Sequence, residues 1–250
     1  IIVAWADYHR SVTSTDVFAH RIGANGRPAG GCYRSFTQNE FSIKGVKTYN
    51  RFTRTITVPN QGNVRDSIFT RGAFAGGLIV GISRPDSVRK YASEFFTRSW
   101  NARRALPQNG TPRPFDRYYN RPFYGILTNP SVVRYNNLLS GELITLKLNI
   151  AASDVGITAK NFGEIIFRDG SDPANPLNNK TLREIAPYVD SLMTYWRSYP
   201  ADYRKVALSL GMINGSFAAP LETLSVAALA IRSARSLYSV PFLFANVDPP

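Results

Sequence analysis

The sequence predicts an α+β protein: a β-rich, sandwich-like part over residues 1–98, a long Arg/Pro-rich connector over 99–135 and a mainly helical module over 136–250. Three observations carry that prediction. Short apolar runs, one of them strictly alternating, lie before residue 98; prolines crowd residues 99–132; and the apolar residues take up helical spacing after Asn136.

Taken in order, Ile1–Trp5 is an apolar run, Arg10–Ser14 a polar turn and Asp16–Ile22 a second run, with Gly23-Ala24-Asn25-Gly26 closing a hairpin that need not pack with residues 38–83. Arg51–Val58 alternates, with Phe52, Ile56 and Val58 on one face and Thr53, Thr55 and Thr57 on the other, the pattern of a half-buried strand. Pro59–Asn63 reads as the turn after it and Leu78–Ile82 as a buried strand. Strands of this length between Gly, Pro and Asn point to a small sandwich. Residues 99–132 carry Pro107, Pro112, Pro114, Pro122 and Pro130 with Asn109-Gly110, the composition of a linker or of a loop ordered by contacts.

Leu139, Leu143, Leu146 and Ile150 then recur at helical spacing. A second helix begins at the Thr181-Leu182-Arg183-Glu184 capping box and places Leu182, Ile185, Val189, Leu192 and Trp196 on one stripe, with an irregularity expected at Pro187. A third spans Tyr203 to Asn214, and residues 221–237, rich in Ala, Leu and Ser, are expected as a fourth.

Charge is segregated. Residues 1–140 hold 20 basic side chains against 7 acidic, whereas residues 141–250 hold 10 against 10, so the whole excess of +13 lies in the first part. Most of it is arginine, which favours fixed bidentate or stacked contacts over a diffuse cationic cloud. The densest stretch interleaves Arg98, Arg103, Arg104, Arg113, Arg117 and Arg121 with Trp100, Phe115, Tyr118 and Tyr119. Such a mixture binds single-stranded nucleic acid or, equally, pairs with carboxylates and packs on aromatic rings or on a neighbouring subunit. With no RNA-binding or helix-turn-helix signature beside it, packing is the preferred reading.

No uncharged stretch reaches the ~20 apolar residues of a membrane span. The start, Ile1-Ile2-Val3-Ala4-Trp5, lacks the layout of an intact signal peptide, so a processed chain or a piece of a longer one is expected. The single Cys32 excludes an internal disulfide framework and a Cys-based zinc site. His9 and His20 have no nucleophile-elbow context, and no phosphate loop, dinucleotide fingerprint, zincin or EF-hand motif is present. The oxygen-rich loop of Asp169, Asp172 and Asn175 is a candidate calcium site with an incomplete ligand pattern, and an Asx-turn is preferred. Glu164 and Asp169 are the carboxylates to examine as a glycosidase pair, although surface charge is the default. No catalytic residue and no cofactor is assigned.

Two stretches resemble known families. Trp5-Ala6-Asp7-Tyr8-His9-Arg10, Asp16–Ile22 and Ala24-Asn25-Gly26 resemble one copy of the repeat of bacterial extracellular β-propeller-like proteins; a single copy does not make a propeller. Tyr135-Asn136-Asn137, Glu142–Ser153, Phe162–Phe167, Leu177–Ala186 and Val240–Leu243 resemble the C-terminal region of large secreted bacterial surface proteins, where Ig-like modules precede a helical, dockerin-like segment. The duplicated calcium loop of a dockerin is absent. The resemblance implies an extracellular, non-enzymatic role in surface architecture or adhesion.

The resulting expectation is a secreted structural, assembly or adhesion protein of a bacterial cell surface, acting on other protein subunits, by self-assembly or in a larger complex, or on acidic surface polymers. Its contact residues would be Arg98, Trp100, Arg103, Arg104, Arg113, Arg117, Tyr118, Tyr119 and Arg121, and strand Ile1, Ile2, Val3, Ala4 and Trp5 would add to a neighbour's sheet edge. The alternatives are nucleic-acid binding through residues 98–121 and a secreted glycan-active enzyme.

Overall fold

The structure, a computed structural model, describes residues 2–7 and 16–21 as backbone and residues 31–83, 91–119 and 121–246 in full. β1 (Ile2–Asp7) and β2 (Asp16–Arg21) pair antiparallel, from Ile2 opposite Arg21 to Asp7 opposite Asp16. They join no other strand among the described residues. Ile1, His9, the turn at Arg10–Ser14 and the glycine turn at 23–26 lie outside those residues.

From β3 (Cys32–Tyr33) the chain turns into α1 (Gln38–Ser42), opened by a capping box in which Thr37 N donates to Glu40 Oε2 at 2.8 Å. β4 (Tyr49–Asn50) and β5 (Thr55–Ile56) form a short hairpin, and α2 (Gln61–Thr70) follows. Two expectations change here. The alternating stretch 51–58 forms only two ladder pairs, and its apolar face is uncovered, with Phe52 92% exposed, Ile56 65% and Val58 68%. Pro59–Asn63 is the start of a helix as much as a turn, because Asn60 and Asn63 cap one another reciprocally, at 3.1 and 3.3 Å, in place of the usual Ser/Thr and Glu.

β6 (Leu78–Val80), within the expected buried strand, runs antiparallel to β7 (Ala92–Phe96). Next come α3 (Ser99–Arg104), the paired β8 (Arg117–Tyr118) and β9 (Arg121–Pro122), and β10 (Gly125–Thr128), which lies parallel to β7 in a sheet of order β10-β7-β6.

The first expected helix is α4 (Leu138–Asp154), capped by Asn137 and buried on nearly all sides. β11 (Ile166–Phe167) pairs with β12 (Lys180–Thr181), and α5 (Leu182–Thr194) starts from the Thr181/Glu184 box and continues through Pro187. Trp196 falls beyond its end. α6 (Tyr203–Gly215), capped by Asp202, is the third expected helix. The expected fourth helix is absent: β13 (Thr223–Ser225), β14 (Ala230–Ile231) and β15 (Arg235–Ser236) occupy residues 221–237, and β15 pairs with β3. That long-range pairing outweighs the local helical propensity of an Ala/Leu-rich stretch. β16 (Leu243–Phe244) pairs with β11.

The described chain is thus α+β, with six α-helices and several small open sheets. No closed sandwich forms among the described residues. One cluster of buried apolar side chains runs from Tyr33 to Leu243, and residues 99–135 supply Ala102, Ala105, Leu106, Phe115, Phe123 and Tyr135 to it. Of the two forms expected for the Arg/Pro-rich stretch, a linker or a loop ordered by contacts, the described residues show the second. α4 lies against α6, α5, α2 and α1, and its polar side chains are satisfied internally. Lys147 Nζ meets both oxygens of Asp190 at 2.6 and 2.8 Å, and Ser153 Oγ donates to the Ala159 carbonyl at 2.7 Å.

Candidate binding surface

The arginine excess is not all surface. Arg34 is fully buried: it bridges Glu40 at 2.7 Å, reaches the backbone carbonyls of Ser35 and Ala219, and stacks on the Phe36 ring. Arg65 is buried as well, against Asp66 and the Ile43 carbonyl, both at 2.7 Å, and burial draws its guanidinium pKa down. These two cations hold loops together and are unavailable to any partner.

The expected contact residues divide in the same way. Arg113 is half-buried, with Nη1 donating to Asp116 at 2.9 Å and to the Arg117 carbonyl at 2.6 Å, and its guanidinium lies 5.2 Å from the centre of the Tyr135 ring. It covers an aromatic wall in which Phe115, Phe123 and Tyr135 meet at 5.7 to 6.2 Å. Arg103 is half-buried in the last turn of α3, where a cation complements the helix dipole.

The others face outward. Arg98 stands exposed at the start of α3, Trp100 is 47% exposed, and exposed Arg104 lies 5.5 Å above the Trp100 ring. The Arg104 carbonyl accepts from Val132 N at 2.9 Å, which brings the exposed Val133 beside α3. From there Arg134 Nε donates to the Tyr118 hydroxyl at 3.3 Å, and Tyr118 lies edge-on to exposed Tyr119 at 4.6 Å. Arg117 and Arg121 are exposed on β8 and β9, and Asp116 is the only acidic residue between 98 and 134. Exposed Tyr124 and Ile126 extend the face along β10, an outer strand of its sheet. Residues 98–134 thus carry a run of exposed cations and exposed large apolar side chains. Nothing matches this chain among protein families, curated proteins or solved structures.

Val133, Tyr124 and Ile126 escaped the sequence reading because isolated apolar residues in a loop or a four-residue strand carry no periodicity. Glu94 escaped it too. It lies fully buried on β7 beneath the aromatic wall, accepts from Ser140 Oγ, and its second oxygen has no hydrogen-bond partner among the described residues. Burial pushes its pKa up to about 7, against the opposing pull of the Ser140 hydrogen bond and the Arg113 charge. Its only signal in the sequence is a carboxylate inside the run Ala92-Ser93-Glu94-Phe95-Phe96.

The remaining candidates are occupied by structural contacts. Asp169 accepts from Ser171 N and Oγ at 3.0 and 2.6 Å, which holds its pKa below the usual range. Asp172 pairs with Lys205 at 2.8 Å, and Asn175 donates to Ser209 at 2.9 Å. The loop is thus tied up by Asx-type and ion-pair contacts, and no cluster of His, Cys, Asp and Glu suited to a metal occurs among the described residues. Glu164 pairs with Arg183 at 2.7 Å, and the same guanidinium reaches Asp154 at 2.7 Å. No helix of the described residues is long and apolar enough to cross a membrane.

Proposed function

We propose that this chain is a structural or assembly protein, secreted to a bacterial cell surface or extracellular polymer, that works by contact with other protein subunits, copies of itself included. The contact face is 98–134. What supports this reading is one observation: Trp100, Tyr119, Tyr124, Ile126 and Val133 lie exposed in a segment that carries five exposed arginines and a single acidic residue. Aromatic and arginine side chains together are the composition of interface anchors, and a rigid support lowers the entropy cost of using them. The β1–β2 pair, which adjoins no other strand among the described residues, adds a means of extending a neighbour's sheet. Size-exclusion chromatography and electron microscopy at physiological salt test the reading. It expects oligomers or polymers, and a strictly monomeric chain without a surface partner contradicts it.

A second reading, single-stranded nucleic acid along residues 98–121, draws support from exposed Arg98, Arg117 and Arg121 beside Tyr119. It predicts binding that falls steeply with salt, and no binding at ~50 mM salt contradicts it.

A further inference from the structure

The β4–β5 hairpin is built like an arm. At its base Asn63 grips Val46 from both sides, accepting from Val46 N at 3.1 Å and donating to its carbonyl at 2.7 Å, while Asn60 donates to the Lys44 carbonyl at 2.9 Å. Thr57 N donates to the Thr48 carbonyl at 3.0 Å below the ladder. At the tip, Asn50 Oδ1 accepts from both Phe52 N and Thr53 N, at 3.0 and 3.2 Å, and Arg54 closes the turn with a positive φ of 54°. The turn therefore holds the Phe52 backbone in place and leaves its side chain 92% exposed. Behind it Tyr49 and Ile56 sit opposite one another in the ladder, both more than half exposed, with Val58 beyond.

The charges on this arm are all of one sign. Lys44, Lys47, Arg51 and Arg54 are exposed, and no acidic residue occurs from Phe41 to Arg65. Together with the net charge of +13, four like charges favour an extended anionic surface over a single acidic pocket. Acidic polysaccharide offers the charge alone, and nucleic acid offers a base to stack on Phe52 but nothing to the aliphatic Ile56 and Val58. An anionic bilayer offers both, with the apolar layer just below the charged one, and arginine stems beside a buried aromatic keep their heads at headgroup level.

We infer that the 44–58 arm is a docking device for anionic lipid surfaces, inserting Phe52 below the headgroups while Arg51 and Arg54 engage them. The arm shares no residue with 98–134, and the two readings are tested by different variants and different readouts. The test is flotation of the full chain with vesicles of phosphatidylcholine alone and of phosphatidylcholine with about one third phosphatidylglycerol. The wild type is expected to float with the anionic vesicles and much less with the neutral ones. Phe52→Ala, at a site too exposed to affect folding, is expected to weaken partitioning about tenfold. The double variant Arg51→Gln/Arg54→Gln is expected to weaken it roughly 25-fold. Absence of flotation with anionic vesicles overturns the inference. So does equal flotation with neutral vesicles, or a Phe52→Ala variant that floats as well as the wild type, which would leave charge alone, as for an acidic protein or polymer, as the basis of binding.

Discussion

Asn149 holds Phe36 from both sides: its side-chain oxygen accepts from Phe36 N at 2.8 Å and its nitrogen donates to the Phe36 carbonyl at 2.9 Å, across 113 residues of sequence. The amide thereby replaces a strand neighbour for a buried stretch of backbone, and it also reaches Asn214 on α6 at 3.2 Å. The N-terminal segment, the central helix and α6 are joined at this one side chain.

Removing the clamp leaves both backbone polar groups of buried Phe36 unpaired. Asn149→Ala is expected to destabilise the fold by about 3 kcal/mol. The check is the urea midpoint, which falls at unchanged slope if the native state is otherwise intact.

Lys147 and Asp190 form a second internal tie, in which Lys147 also donates to the Ile79 carbonyl at 2.6 Å and Asp190 accepts from Gly81 N at 2.6 Å. Burial pushes the Asp190 carboxyl upward against the opposing pull of the ammonium. Lys147→Met alone strands a buried carboxylate and is expected to cost about 3–5 kcal/mol. Lys147→Met with Asp190→Asn keeps an acceptor for Gly81 and is expected to recover part of that loss, which a double-mutant cycle measures.

Glu94 gives the fold a pH dependence of defined sign. Its folded pKa of about 7 lies above the ordinary carboxyl value, so its contribution is fully present below pH ~4.5 and is lost as pH rises through 7. The span corresponds to about 3 kcal/mol. Glu94→Gln is expected to remove it, so the stability difference between variant and wild type should widen in favour of the variant from pH 5 to pH 8. Parallel pH profiles would contradict the assignment.

The sequence was most legible where a signal is local. The α5 box places Thr181 and Glu184 three residues apart, and the stripe of Leu182, Ile185, Val189 and Leu192 follows at once, so start and buried face are readable, whereas the end is not, since Trp196, expected on the stripe, lies past Thr194. α2 was not, because an Asn-x-x-Asn cap after a proline looks like a turn. The alternation at 51–58 was real, but alternation says that one face is apolar and not what covers it. Partnerships across long separations, such as Asn149 with Phe36 or β15 with β3, leave no periodic trace. Of the contact face, the density of Arg98–Arg121 was visible, whereas the internal use of Arg113 and the exposure of Val133 depend on how residues 129–135 fold back onto α3.

Variants on that face are expected to leave the fold alone. Val133→Asp alters a side chain 87% exposed and should change thermal stability by less than about 0.5 kcal/mol, as read by calorimetry.

Sedimentation velocity of the wild type and of Val133→Asp, over a concentration series at physiological salt, tests the central claim most directly. The account predicts species larger than a monomer that grow with concentration in the wild type and revert to monomer in Val133→Asp. A wild type that stays monomeric throughout, or a variant that assembles as well as the wild type, would contradict it.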